Sequence, residues 1–387
     1  MSHYSNLPFR AWEQRKFIEI INRLSKTSNS SILPKVEYED IIAEEGRLNK
    51  DISNKFDSRK GILFQPKNIL YGKLRPYLKN WLYPDFKGVA VGDFWVFEAI
   101  EATPRFIYNL IQSDSYQKVA NDTAGTKMPR SDWTKVSNSS FFIPKESSEQ
   151  KRIGTFFKQL DDTIALHQRK LDTLKQMKKG LLQQMFPKSE EDVPKIRFAD
   201  FDEEWYQRKL GEEFEKINER NDGSFGKTHW ISVAKMYFVE PNKVLSNNID
   251  TRTYVMRKGD IAFEGHSNTD FKFGRFVAND IGPGIVSELF PVYRHKTNYD
   301  NNYWKNAIQL EHIMAPIYSK SITSSGNSSN KLDSKHFLNQ KIYIADFEEQ
   351  EKIGSIFKQL DNTIILYQNK LNKFDILKKA YLQTMFI

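Results

Sequence analysis

The chain has 387 residues, with 58 Lys and Arg against 49 Asp and Glu for a formal charge of +9, and this length predicts two or more domains with room for packed cores. With 39% hydrophobic and 13% aromatic residues the composition excludes intrinsic disorder, and the absence of cysteine excludes disulfides, Cys-ligated zinc, iron-sulfur clusters and thiol catalysis. The longest apolar stretch, Val89 to Ile100, is broken by Gly92, Asp93 and Glu98, so no membrane helix is expected, and with no apolar signal region at the N-terminus a cytoplasmic location is expected.

In chain order, the basic and aromatic run Tyr71 to Trp81 places Lys73, Arg75 and Lys79 among Tyr71, Tyr77 and Trp81, with Asn80 beside them. That mixture suits phosphate contact with an Arg or Asn left for a base edge; a solvated turn beside a core strand fits equally well. Val89 to Phe97 reads as strand, and Phe106 to Gln112 as helix. A small polar loop from Thr123 to Arg130 follows, with Gly125, Lys127 and Arg130. Its amides and cations suit phosphate binding, although such loops often only connect elements. Residues 147–187 read as one long helix, and 188–200 as a linker bearing Pro194 and an acidic cluster.

The second half repeats this order with different residues. Arg257, Lys258, His266, Ser267, Asn268, Lys272 and Arg275 surround a loop with Gly265 and Gly274 for close backbone approach. Trp304 to Tyr318 reads as helix and Ile342 to Ile344 as strand. Between them lies a second polar loop, Ser324 to Lys331. Residues 346–387 read as the second long helix.

The two long helices are copies. Residues 149–186 align with 349–386 without a gap, with 21 identities in 38 positions. Trp12-Glu13-Gln14-Arg15-Lys16 likewise matches Trp205-Tyr206-Gln207-Arg208-Lys209. Between these anchors there is little identity, so the halves share a frame and differ inside it. Ile153, Phe157, Leu160, Ile164, His167, Leu171, Leu174, Lys178, Leu181 and Met185 step by four and three, as do Ile353, Phe357, Leu360, Ile364, Tyr367, Leu371, Phe374, Lys378, Tyr381 and Met385. This is coiled-coil spacing, which predicts that the helices pack on each other as a spacer; a core helix in each domain is the bland alternative. Lys178 and Lys378 interrupt the apolar seam at matching places. They are read as snorkelling while Met177 and Leu377 fill the neighbouring seam. Capping boxes are expected at Ser147 with Gln150 and at Asp346 with Glu349.

Catalytic constellations are missing. There is no phosphate loop, no GxGxxG, no NPPY or DPPY, no HExxH and no close His pair, so no catalytic residue and no metal site is assigned. Asp260 and Glu264 in GDIAFEGH are faintly nuclease-like, but lack a lysine after the glutamate and read better as turn and edge residues. Each variable region is expected to be α+β.

Two variable regions, each ending in EQxxIGxxFKQLDxTIxLxQxKL, resemble the specificity subunit of Type I restriction-modification systems over essentially the whole chain. The resemblance implies target recognition domains at 1–146 and 201–345 and an antiparallel coiled coil of the conserved helices at 147–187 and 346–387. It implies double-stranded DNA, two copies of a methyltransferase subunit and motor-nuclease subunits as partners. It also implies no cofactor in this chain, with S-adenosylmethionine, ATP and Mg held by those partners. One departure is that the first half lacks the PKIRF lead-in found at Pro194 to Phe198. A self-sufficient nuclease or methyltransferase and a coiled-coil scaffold that ignores DNA are the rival readings.

Overall fold

The computed structural model describes residues 12–123, 127–188, 191–245, 249, 252–325 and 329–386. It forms two compact units, Met1–Gln168 with Asn369–Ile387, and Arg169–Gln368. The first unit is therefore discontinuous in sequence and the second continuous, and each takes part of both long helices. No helix among the described residues is long and apolar enough to cross a membrane.

The first unit is organised by strands β1 (Trp12–Lys16), β2 (Ile21–Leu24), β3 (Ile69–Gly72), β4 (Trp81–Leu82), β5 (Phe94–Ala99) and β6 (Ser140–Pro144). β1 pairs antiparallel with β6, and the central antiparallel sheet has the order β2-β5-β3-β4. Side chains alternate across a strand, and this sheet is buried on both faces. Ile69, Tyr71, Trp95 and Phe97 pack against Phe106 and Ile107 of the helix Pro104–Leu110 and against Phe17 and Tyr116. Leu70, Phe94 and Val96 face the other way, onto Val36, Phe64 and Ala90 of a second sheet. Burial on both sides explains why FWVF in β5 is uniformly apolar rather than alternating.

The second unit repeats the plan with strands β7 (Tyr206–Lys209), β8 (Phe214–Ile217), β9 (Ile261–Glu264), β10 (Arg275–Ala278), β11 (Val292–His295) and β12 (Lys341–Ile344). β7 pairs with β12, and the central sheet order is β8-β11-β9-β10, the counterpart of the first unit's. Ile261, Phe263, Phe276 and Tyr293 meet the helix side with Trp304, and Ala262, Val277 and Val292 meet Ile231, Met256 and Val286. Both units are mixed helix and sheet, as the sequence predicts.

The glutamate, glutamine and glycine of the repeated helix motif each have a structural reason. The long helices are Ser147–Gln184 and Phe347–Met385, a little shorter than expected. In each, the motif glutamate accepts the indole N–H of the anchor tryptophan, Trp12 to Glu149 at 3.3 Å and Trp205 to Glu349 at 3.0 Å. The following glutamine is buried, its amide donating to the end of the sheet at Pro144 or Ala345 at 2.9 Å. Its oxygen accepts from the chain just ahead of the adjacent helix, at Thr103 (2.8 Å) or Asp300 (3.4 Å). The motif glycine permits that adjacent helix to approach: a Cβ on Gly354 would lie 1.9 Å from Asp300 Oδ1, and one on Gly154 would lie 3.1 Å from Arg105 Cβ.

Within each unit the two long helices run antiparallel. In the first, Phe156 meets Tyr381, Asp161 meets Lys378 and His167 meets Phe374, one number rising as the other falls. In the second, Lys178 meets Asp361 and Phe186 meets Phe357. Ile153, Phe157, Leu160, Leu171, Leu174, Ile353, Phe357 and Leu371 are buried, and Ile164, Leu360, Ile364 and Phe374 are partly buried. The seam lysines do not merely snorkel. Lys178 pairs with Asp361 at 2.5 Å and Lys378 with Asp161 at 2.8 Å, because antiparallel packing brings a carboxylate of the facing helix level with each. Met177 and Leu377, expected to fill the seam, are exposed.

Four other expectations are corrected. Val89 to Phe97 is not one strand: Gly92 turns the chain at φ 102° between Gly88–Ala90, in the second sheet, and β5. Trp304 to Tyr318 is two helices, Asn301–Ala307 and Glu311–Ser321, separated where Leu310 turns extended with ψ 107°. Asp346 caps its helix, accepting the Glu349 N–H at 2.8 Å, but Ser147 is already helical, and Gln150 faces the sheet instead. The segment read as a linker is docked: Ile196 N–H donates to Gln184 O, and Arg197 grips the buried Glu349 through Nε and Nη2, both at 2.8 Å.

Candidate nucleic-acid interface

The duplicated sheet explains where the variable loops fall. Tyr71 to Trp81 spans the turn from β3 to β4, and the Gly265–Gly274 loop joins β9 to β10. These are the same connection in the two sheet orders, although the sequences are unrelated.

In the first unit that loop is joined by the later polar loop. Leu74 bridges Arg130, the Arg75 N–H donates to Pro129 O at 2.7 Å, and the Ser131 N–H donates to Lys73 O at 2.9 Å. Lys73, Arg75, Lys127 and Arg130 thus come together from segments more than 50 residues apart. Arg75 is held left-handed, at φ 49°, ahead of the turn Pro76–Leu78. Its exposed side chain has no ion pair among the described residues. Lys73 and Arg130 share Asp93, at 3.6 and 3.1 Å. Tyr38 pins the arrangement: its hydroxyl donates to Asp93 O at 2.5 Å and accepts from the Leu74 N–H at 3.1 Å. Burial pushes the Tyr38 hydroxyl's pKa well up, so it stays a donor.

The remaining candidates of this unit differ in access. Tyr77 is 56% exposed and Lys127 is exposed. Lys79 turns to Glu44 at 3.2 Å, whose carboxyl is held below its ordinary range by Lys379 and by Lys79. Asn80 is 7% exposed and its carbonyl accepts the Gly72 N–H, which places it under the loop rather than on its surface. Ala124, Gly125 and Thr126 lie outside the described residues, as do Gly326, Asn327 and Ser328.

In the second unit the same two segments meet. The Asn330 N–H donates to Gly265 O at 2.9 Å, and a Cβ on Gly265 would lie 2.2 Å from Asn330 O. Gly274, at φ 83°, would place a Cβ 2.4 Å from Glu264 O, so both glycines serve the close approach expected of them. His266 and Ser267 are exposed, and His266 pairs with the buried Glu264. Asn268 shapes the loop through its own oxygen, which accepts the N–H groups of Asp270 (2.9 Å) and Phe271 (3.0 Å). Lys272 and Lys331 are exposed at the rim. Arg275 is half-buried, donating to Ala234 O at 2.5 Å and stacked 4.8 Å from the Phe271 ring. It supports the loop from beneath.

Arg257 and Lys258 stand apart. They sit in the turn that enters β9, whereas the loop leaves the strand's other end, roughly 13 Å away at about 3.3 Å per residue. Arg257 pairs there with Glu219 at 2.6 Å and depresses that carboxyl's pKa. Asp260 is held by Arg294 through two contacts of 2.8 Å and Glu264 by His266, so both acids have structural partners. Among the described residues no three His, Asp or Glu side chains are grouped as metal ligands.

Tyr38 and Asp93 were not singled out by sequence. The only local signal was the Gly92-Asp93 turn; their roles depend on neighbours 36 and 37 residues away.

Residues 11–176 match the family described as the Type I restriction modification DNA specificity domain. No curated protein sequence matches the chain. Among solved structures, the fold is similar to the S subunit of a Type I restriction-modification system from M. genitalium, with TM-score 0.59 and 13% identity over 98% of this chain and 97% of that one. It is also similar to a chain from a study of complex assembly and conformational transition of the type I R-M system, with TM-score 0.55 and 17% identity over 96% of both. At these identities the likeness establishes the fold, and the sequence match concerns residues 11–176. Residues 11–176 thus carry the Type I restriction modification DNA specificity domain, and the chain as a whole shares the fold of the solved structures it is similar to.

Proposed function

We propose that the chain reads a bipartite, asymmetric DNA site and directs adenine methylation or restriction by partner subunits, itself performing no chemistry. Each unit reads one half-site with the β3–β4 or β9–β10 loop and the later polar loop beside it. The observation that carries this reading is the coincidence of sequence-unrelated cationic loops at the same connection of a duplicated sheet. A shared frame with variable loops is what two readers of different base sequences require, because base edges set the loop and the duplex backbone sets the frame.

The repeated helices supply two equivalent surfaces, so two methyltransferase subunits bind one chain, with motor-nuclease subunits joining them. S-adenosylmethionine, ATP and Mg belong to those partners, and the complex works in the cytoplasm. A flipped adenine would be enclosed by the methyltransferase while these loops hold the flanking duplex. The test is a genome-wide map of methylated adenine with and without this gene. Loss of one motif with two unequal half-sites and a fixed gap supports the reading, and an unchanged map in a strain with an active system refutes it.

A further inference from the structure

We propose that Asp93 is a specificity-determining residue of the first unit: its carboxylate occupies Lys73 and Arg130 in place of a DNA phosphate, so that a weakly held duplex cannot use these cations. The inference rests on the DNA-reading assignment above. Asp93 Oδ1 lies 3.6 Å from Lys73 Nζ and 3.4 Å from Arg130 Nε, and Oδ2 lies 3.1 Å from Arg130 Nη2. Two oxygens of one anion thus meet two cations that come from different segments of the loop cluster, much as a phosphate would.

The geometry also makes the exchange feasible. The Asp93 backbone is fixed independently of its carboxylate, since its carbonyl accepts both the Tyr38 hydroxyl at 2.5 Å and the Lys73 N–H at 2.9 Å. Lys73 and Arg130 can therefore turn to another anion without the Gly92-Asp93 turn moving. The pairs are partly exposed, with Arg130 52% accessible, and such pairs hold weakly. Arg75 and Lys127, beside them, have no ion pair among the described residues and meet DNA first. A non-target duplex then engages the unpaired cations only. A target duplex, held by base contacts as well, displaces the carboxylate and gains two more.

The test uses the full chain assembled with its methyltransferase subunits, comparing the parent with Asp93→Asn and with Glu98→Gln. Glu98 is exposed at the far end of β5, so its substitution removes the same charge without releasing the loop cations. Affinity for a non-target duplex is measured from 50 to 200 mM salt. Each released cation steepens the dependence of log K on log salt by about 0.9, so Asp93→Asn should be steeper than the parent by up to ~1.8. Its advantage over the parent should fall by about tenfold across that range. Discrimination should relax at one half-site, while unchanged discrimination at the other shows that the chain is folded. A salt slope for Asp93→Asn no steeper than that of Glu98→Gln overturns the proposal. A parent complex without salt-sensitive duplex affinity overturns the DNA-reading assignment itself, a distinguishable result.

Discussion

Glu149 and Glu349 occupy the same place in the duplicated motif, yet their environments predict very unequal responses to Glu→Gln. Glu349 is fully buried and receives three donors, Arg197 Nε and Nη2 at 2.8 Å and Trp205 Nε1 at 3.0 Å, from an arginine whose side chain is only 14% exposed. A glutamine keeps one acceptor but removes the guanidinium's paired carboxylate, leaving it only the weaker influence of Asp346 and Asp202 in a largely buried site. Breaking one side of such a pair costs about 3 to 5 kcal/mol. For a unit of about 200 residues each kcal/mol moves the midpoint by about 2 to 4 °C, so Tm should drop by roughly 6 to 20 °C. Glu149 is half-exposed and its one contact among the described residues is the Trp12 indole at 3.3 Å, which a glutamine oxygen can still accept. That substitution should cost less than about 1 kcal/mol. Calorimetry on the full chain distinguishes the two. Adding Arg197→Met to Glu349→Gln should recover much of the loss, because the uncompensated charge is then gone. Equal shifts from the two single substitutions, or a double variant worse than Glu349→Gln, would refute the reasoning.

Three further outcomes follow from other contacts. Gly354→Ala should destabilise the second unit by about 1 to 3 kcal/mol, since the new Cβ strikes Asp300, whose carboxylate caps the helix Asn301–Ala307; Gly154→Ala, whose Cβ would be 3.1 Å from Arg105 Cβ and would need only a slight shift, offset by alanine's better helix propensity, should be near neutral, and the reverse ranking in Tm would be fatal to this account. His295 lies among Phe214, Tyr299 and Trp304 with neither ring nitrogen hydrogen-bonded among the described residues, and burial lowers its pKa to about 3. The unfolded imidazole binds its proton near pH 6.5, so the unfolded state holds more protons between these values: stability is complete above about pH 6.5 and falls toward pH 3 by at most about 1.4 kcal/mol per pH unit. Denaturant titrations should show a shallower acid loss in His295→Phe, and identical pH profiles would exclude this histidine as a contributor. Arg75→Ala should relax recognition at one half-site by about 1 to 3 kcal/mol and Asn268→Ala should affect only the other, read from methylated motifs in cells. Equal loss at both half-sites would indicate misfolding instead.

The sequence by itself determined the frame. A helix repeat spaced by 200 residues, its heptad seam and the WxQRK anchors are local patterns, and local patterns survive without knowledge of neighbours. It also identified the Tyr71–Trp81 and Gly265–Gly274 segments as candidate readers, because clustered cations and positioned glycines have compositional signatures. Only the tertiary structure decided that these two segments occupy one connection of a duplicated sheet, and that Lys127 and Arg130 join the first while Lys331 joins the second. It alone paired Lys178 with Asp361, turned the linker into a clamp on Glu349, withdrew Asn80 beneath its loop, and separated Arg257 from the loop that its sequence neighbours form. These outcomes depend on partners tens to hundreds of residues away. A residue's type fixes which contacts it is able to make, but burial and the charge facing it fix which it makes, and both are set by chain segments that no local window contains.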